Sequence, residues 1–345
     1  MRKVNASAPF AATIVAVTLL LVAAYSAEPV TVTVGATSTT SDAPIYIADK
    51  LGYFSDEGLN VTVSNFRSAS DMVAPLGTGE LDAGAGSPSA GLYNAVLRGV
   101  RIKIVADKAS SPPGYGATKI LVRKDLVDNS RYKQLSDLKG MKFAMNAPGV
   151  SNTATLNALL KMAGLQYSEV DTVNLPFPDH VAALKNKSVD ASASVEPGPA
   201  IAIKNGFAEL IKSDDQIIPY HQIAVLLYSE KFSQQSDVSR RFMRAYLRAV
   251  RFYNGALKDS HLAGPNADRV ISILAETTNI KDPAIYRDIT PTGMNPDGRV
   301  NVQSLADDLQ FYRDQRLIKG DVKLDDLVDH SFVDAVVKEL GPYPK

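Results

Sequence analysis

The sequence predicts an α/β protein of two lobes. Three observations carry this reading: a stretch that repeats itself 108 residues later, an alternation of strand and helix patterns in both halves, and two apolar β-like runs placed to carry the chain across and back. In the repeat, Asp71, Val73, Ala74, Leu76, Leu81, Asp82, Ala83 and Ala85 return as Asp179, Val181, Ala182, Leu184, Val189, Asp190, Ala191 and Ala193. Seven of the eight positions are identical and the eighth exchanges leucine for valine. A match of this kind marks one supersecondary unit used twice.

Each copy has a physical reading. The apolar spacing of three from Val73 to Leu76 suits a short helix, which Gly79 or Asn186-Lys187-Ser188 ends. A strand of small residues follows, Leu81–Ala85 or Val189–Ala193, and then a loop with Pro88 or Pro197. Asp82 and Asp190 stand at matched positions, which assigns them a shared structural role at the entry to the strand. Upstream, Thr31–Ala36 alternates as a strand, Thr37–Asp42 is a Ser/Thr-rich turn with helix-capping residues, and Ile45–Lys50 reads as helix. Leu59–Val63 is the next strand. The second half keeps the order: strand Lys142–Met145, turn Asn146–Asn152, helix Thr153–Met162, strand Val170–Asn174. Such alternation predicts sheets that are mainly parallel.

The predicted layout is nested. Lobe one comprises residues 28–117 and 229–345, and lobe two residues 124–220. The runs 118–123 and 221–228 are expected to be the two hinge crossings. Two crossings allow the lobes to hinge about a cleft. Asp237–Lys258, Asn266–Thr277 and Val302–Gln315 complete lobe one as helices of 3.6-residue period.

Residues 1–27 set the expected compartment. Arg2 and Lys3 precede an apolar run from Phe10 to Ala24, and cleavage after Ala24, Ser26 or Ala27 would leave a small residue at the cut. This is the pattern of a signal peptide, shorter than a comfortable bilayer span. The mature chain is therefore expected in the periplasm.

Composition excludes several classes. Without Arg2 and Lys3 the chain carries 35 basic and 37 acidic side chains, a net charge of −2 with no basic patch, so nucleic acid is not an expected partner. There is no cysteine, hence no disulfide, thiolate metal site, cysteine nucleophile or N-terminal lipid anchor. The four histidines, His180, His221, His261 and His330, are far apart, and no metal site or other cofactor is expected. Gly84-x-Gly86 lacks the third glycine of a dinucleotide fingerprint at the right spacing, and neither a phosphate-binding P-loop nor a G-x-S-x-G elbow occurs. No carboxylate pair is placed for acid–base work.

The loops carry the functional expectation. In open α/β sheets ligands sit beyond the carboxyl ends of strands. Each lobe offers one loop that opens a helix, Thr37–Asp42 and Gly149–Thr153, whose free N–H groups suit anionic or polar ligand atoms. Each also offers a loop after the repeated strand, Gly86–Ser89 and Val195–Pro197, and Ser110-Ser111-Pro112 is a further candidate in lobe one. For any single Ser/Thr turn, helix capping is the simpler reading; the matched loops favour a shared cleft. Tyr46, Tyr53, Phe54 and Tyr93 are core residues by default. Arg67 is the one arginine near a lobe-one loop, so no bidentate clamp for a carboxylate is evident.

Taken together, Ala43-Pro44-Ile45-Tyr46-Ile47-Ala48, Leu51-Gly52-Tyr53-Phe54, Glu57-Gly58-Leu59, Gly79-Glu80-Leu81-Asp82-Ala83, Leu135–Gly140, Val195-Glu196-Pro197 and the ending Leu327-Val328-Asp329 to Leu340-Gly341 resemble the periplasmic solute-binding proteins of ABC importers, in the nitrate/sulfonate/taurine and thiamine-pyrimidine branch. The similarity covers nearly the whole mature chain. It implies a type II periplasmic-binding fold, ligand capture between the lobes, delivery to an ABC permease at the inner membrane, and a monomer. By family position the ligand loops map to Ser38, Thr39 and Asp42, to Ser87 and Pro88, to Ser110, to Ser151, Asn152 and Thr153, and to Glu196; His221 and Gln222 are placed to face the cleft. Many relatives carry tryptophan before the Glu-Pro pair; this chain has Val195 and no tryptophan, so indole stacking is not available. The expected ligand is a small anionic or heteroaromatic organic molecule. Two other functions fit the resemblance. One is an enzyme on the same fold acting on a small pyrimidine or sulfur compound, disfavoured by the missing cysteines and by export. The other is a sensor module that presents ligand to a receptor.

Overall fold

The computed structural model describes residues 28–344. Residues 1–27, expected to be a signal peptide, lie outside the described residues. Ten strands build two five-stranded sheets. In chain order they are β1 (Val30–Ala36), β2 (Leu59–Asn65), β3 (Ala83–Gly86), β4 (Ile102–Ser111), β5 (Thr118–Arg123), β6 (Lys142–Met145), β7 (Asp171–Asn174), β8 (Ala191–Val195), β9 (Ala208–Ser213) and β10 (His221–Ser229). The first sheet runs β2-β1-β3-β10-β4 and the second β7-β6-β8-β5-β9. The sheets are copies of one plan: three parallel strands in 2-1-3 order, extended by an antiparallel pair.

The sheets are mainly parallel, as expected: in each, four of the five strands run one way, and only β10 in the first and β5 in the second run antiparallel to their neighbours. One expectation needs correction: the runs 118–123 and 221–228 do not bridge the lobes. Each is an inner strand, hydrogen-bonded on both edges inside the sheet that the chain has just entered. The backbone that links the lobes is 112–117 on the outward pass and 214–220 on the return. An apolar run reads the same whether it leaves a sheet or completes one.

Asp82 and Asp190 do the same work in both copies. Asp82 Oδ2 accepts from Thr33 N at 2.8 Å, and Asp190 Oδ2 accepts from Lys142 N at 3.0 Å. Each carboxylate thus ties the start of the third strand to the first strand of its own lobe. The remaining helices wrap lobe one. Ser236–Asn254 lies against Ala43–Lys50 with Phe242, Tyr246 and Tyr253 fully buried. It ends sooner than its periodicity suggests, because a two-residue hairpin, Leu257–Lys258 with His261–Leu262, follows Gly255. Among the described residues, no helix is long and apolar enough to cross a membrane.

Candidate functional site

The carboxyl ends of β1, β3, β6 and β8 face one cleft, and its walls come from both lobes. The inner part is a narrow space of about 40 Å³, lined in lobe one by Thr37, Thr39, Ser41, Ala69, Gly86, Ser87, Lys108, Ile223 and Ala224. Lobe two adds Thr118, Asn146, Val150, Asn152, Phe177 and Val195. An adjoining outer part of about 220 Å³ shares Thr39, Phe177 and Val195 with it and adds Ser38, Val181, Glu196, Pro197, Ile201 and Ile280. Apolar atoms make up most of the exposed wall in both parts, and the inner part carries most of the polar side chains, among them Thr39, Ser87, Lys108, Thr118 and Asn152.

The one charged side chain of the inner wall is Lys108, and it is almost wholly buried, at 1 % exposure. It stands on β4, where the pleat turns it toward the turn after β1. Its Nζ lies 2.8 Å from Asp42 Oδ1 and donates to Ser41 Oγ at 2.9 Å. Asp42 in turn accepts from the N–H of Thr37 at 3.2 Å and of Thr39 at 2.9 Å, closing a capping box on the turn. An ammonium with so little water around it needs a fixed counter-ion, and Asp42 is that group.

Lobe two presents the start of the Ser151–Met162 helix. Gly149 reaches it with φ +58° and packs against Ala90 of lobe one, where its carbonyl accepts from Ala90 N at 2.8 Å. A side chain there would meet both the left-handed backbone and the Ala90 methyl. Asn152 on the first turn donates from Nδ2 to Ala193 O at 2.9 Å, which fixes the amide orientation. Its Oδ1 is buried without a partner, and so is the Thr118 hydroxyl. The lobes touch directly at Ser87 Oγ, which lies 2.7 Å from Ser151 Oγ and accepts from Ser151 N at 2.9 Å.

The residues expected at the site divide into two groups. Ser38, Thr39, Ser87, Asn152 and Glu196 line the cleft. Asp42, Pro88, Ser110, Ser151, Thr153 and His221 lie behind it or beside it. Asp42 holds Lys108; Thr153 Oγ1 donates to Val150 O at 2.6 Å within its own helix start. Ser110 turns away, donating to Asp107 Oδ2 at 2.9 Å, while its backbone pairs with Gly293. Gln222 is buried against Asp107 and Ala109.

His221 is fully buried between two carboxylates, with Nδ1 at 3.1 Å from Asp214 and Nε2 at 2.9 Å from Asp308. Asp214 also accepts from Thr155 Oγ1 at 2.7 Å and from the Ser111 hydroxyl. Burial alone would push the imidazole pKa down; the two carboxylates outweigh it and hold it well above the ordinary histidine value. This is a buried ion cluster at the base of the lobes.

Glu196 stands at the outer part, where its Oε2 accepts from Ala200 N at 3.1 Å. Burial pushes its pKa up to about 7, against the pull of the Lys119 ammonium and backbone hydrogen bonds. The Glu196 carbonyl accepts from Thr40 across the cleft at 3.4 Å, and the Glu196–Pro197 peptide is cis.

Sequence reasoning missed Lys108, Thr118 and Asn146. One signal was available for Lys108: Asp107-Lys108 is a charged pair inside the run Ile102–Ala109, which is otherwise mostly apolar. Thr118 carries no such mark.

Two α/β lobes of one plan, joined by two short crossings around a shared cleft, make up the type II periplasmic-binding fold. The chain belongs to the NMT1-like family, whose sequence pattern matches residues 25–264. A protein of Escherichia coli (strain K12) named for binding aliphatic sulfonates is 29 % identical over 147 residues, which is 43 % of this chain and 43 % of that protein's length. The alkanesulfonate-binding protein SsuA from Xanthomonas axonopodis pv. citri, solved with MOPS, superposes with a TM-score of 0.70 at 18 % identity, covering 88 % of this chain and 99 % of that one. The desulfurization enzyme DSZB superposes with a TM-score of 0.60 at 16 % identity, covering 90 % and 99 %. The fold is thus shared by binding proteins and at least one enzyme.

Proposed function

We propose that the protein is the extracytoplasmic solute-binding component of an ABC importer, which closes its two lobes around a small organic anion and presents it to a permease at the inner membrane. The observation that carries this reading is Lys108, a buried ammonium in the wall of a pocket to which both lobes contribute. One of its three N–H groups goes to Ser41 and one faces Asp42, which leaves the third for a ligand. Hydroxyls of Thr37, Thr39 and Ser87 can add to it, while Phe177, Val195 and Ile201 offer apolar contact for the organic part. The E. coli relative named for sulfonates supports an anionic ligand, and the family supports transport. The ligand residues in this reading are Ser38, Thr39, Ser41, Ser87, Lys108, Thr118, Asn152 and Glu196. Lobe two spans about residues 118–213 and the remainder of the mature chain forms lobe one. The protein acts in the periplasm, as a monomer and without chemistry of its own.

A ligand that contacts both lobes favours the closed arrangement by its differential affinity for it. The test uses protein purified without residues 1–27, unfolded and refolded to strip bound solute. Titration calorimetry against a panel of alkyl sulfonates, carboxylates and nitrate is expected to give saturable one-to-one binding, with a smaller radius of gyration in X-ray scattering. Turnover of a panel compound, or binding to none of them, would overturn the proposal.

A further inference from the structure

We propose that the lobes part along one flank of the cleft only. The flank at the start of the Ser151–Met162 helix stays shut, and solute enters where the Gly198–Lys204 helix meets the segment 278–288. The inference rests on the reading of the protein as a solute binder that opens and closes, whatever the solute.

The repeat supplies the comparison. Both sheets place their first three strands in 2-1-3 order, so β1, β2 and β3 correspond to β6, β7 and β8. Exchanging the lobes turns a contact between the loops after β3 and β6 into one between the loops after β8 and β1. The structure holds both contacts, and they are built differently. At the first, Ser89 and Val150 form an antiparallel bridge, Ala90 N donates to Gly149 O at 2.8 Å, and Ser151 N donates to Ser87 Oγ at 2.9 Å. Ser151 Oγ donates onward to Ile223 O of β10 at 2.9 Å. The helix then runs against lobe one. Ala154 is buried in the cluster of Tyr93 and Tyr312, and Tyr167, just after the helix, meets Phe311 edge-on with ring centroids 5.5 Å apart. Parting here would expose that apolar surface and strand buried polar groups, so burial and hydrogen bonding both oppose it.

At the second contact, Thr40 reaches the Glu196 carbonyl from N and from Oγ1, at 3.4 Å each. Beyond it lies the exposed pair of Lys204 and Asp288. Two spaces between the lobes border this flank: the outer part of the cleft, about 220 Å³, and one of about 200 Å³ lined by Lys119, Ile203, Leu210 and Thr290. Long hydrogen bonds, a solvated ion pair and unfilled space do little to hold two surfaces together. Phe177 and Ile201 of lobe two and Ile280 of lobe one line the way in.

The test uses the cysteine-free chain without residues 1–27, stripped of solute by unfolding and refolding, with nitroxide labels on pairs of exposed positions. Lys204→Cys/Asp288→Cys reports the second flank. Ser168→Cys/Asp314→Cys, next to Tyr167 and one turn beyond Phe311, reports the first. Pulsed electron resonance measures each separation. The 204–288 separation is expected to broaden and to exceed that of the structure by about 5 Å or more. The 168–314 separation is expected to stay within about 2 Å of it. A 168–314 separation that lengthens as much overturns the inference, and so do two separations that both stay fixed. Should a labelled variant fail to fold, hydrogen exchange in the unlabelled protein decides: the Ala90 and Ser151 amides are expected to exchange at least about 10-fold more slowly than that of Thr40, and equal rates overturn the inference. Neither measurement needs a ligand. A failed titration against the anion panel therefore overturns the proposed ligand class and leaves the flanks to be judged by their own distances.

Discussion

A lysine with almost no exposed surface is held by its counter-ion, and Lys108 and Asp42 have to be considered as one unit. Removing one partner of such a buried pair costs about 3–5 kcal/mol, because the other is left charged and dry. Replacing both with neutral groups of similar shape costs far less. Lys108→Met is therefore expected to lower the urea midpoint strongly and to abolish anion binding. Asp42→Asn/Lys108→Met is expected to recover most of the stability and none of the binding. The two readouts, a urea melt and a calorimetric titration, separate Lys108 as a ligand group from Lys108 as mere packing. If the double variant binds anions as the wild type does, the ammonium is not part of the recognition site.

At the scale of elements, each lobe carries a proline loop after its third strand, and the two loops differ in chemistry and in the cis peptide of lobe two. Lobe one places Ser87-Pro88 there; lobe two places Glu196-Pro197 at the end of β8. Burial raises Glu196, so its neutral form is favoured by folding. Its contribution is fully present below the unfolded carboxyl value near 4.5 and is lost as pH rises through about 7. Glu196→Gln is expected to flatten that decline. At pH 8 the variant should be the more stable protein by up to about 3 kcal/mol, the net of burial against the Lys119 attraction. Urea midpoints of both proteins at pH 5 and pH 8 check this; a variant that is less stable at pH 8 would show that the Lys119 pairing outweighs the burial.

At the scale of the whole molecule, the lobes are joined at the base and meet again elsewhere. At the base, the cluster of Asp214, His221, Asp308, Thr155 and Ser111 draws together the backbone that leaves each lobe and one helix from each. The lobes also meet at the exposed pair of Lys204 and Asp288, 2.9 Å apart, where the helix Gly198–Lys204 faces Pro283–Asp288. That surface ion pair by itself is worth little. It does mark two positions that a short bis-maleimide can bridge after Lys204→Cys/Asp288→Cys, in a chain with no other cysteine. Cross-linking the ligand-loaded protein is expected to trap the ligand through dialysis, and cross-linking the empty protein to block uptake, with bound solute measured by mass spectrometry. Free exchange through the cross-linked form would show that the lobes need not separate there.

Much of the fold was legible because it repeats. Apolar spacing, small-residue strands and the paired Asp82 and Asp190 are local signals, and strands such as Lys142–Met145 and helices such as Val302–Asp314 follow from period and capping alone. The cleft-facing loops were legible for the same reason, since strand ends and helix starts are marked by Ser, Thr, Asn and Gly. Direction within a loop was not. Thr39 and Asp42 are three residues apart, yet one lines the cleft and the other holds Lys108 from behind. Nor could the sequence say whether Thr118–Arg123 and His221–Ser229 leave a sheet or complete it, because pairing partners lie far away in the chain, as Tyr228 does from Ala83, and strand direction leaves no mark on an apolar run. His221 shows the limit plainly: a histidine beside a crossing is equally suited to a cleft and to a core, and only the arrival of Asp214 and Asp308 from distant segments decided for the core. The sequence by itself determined two lobes of one plan and the loops that border their cleft. Tertiary structure decided which side chains enter it, because burial and charge pairing are properties of segments brought together and not of any one of them.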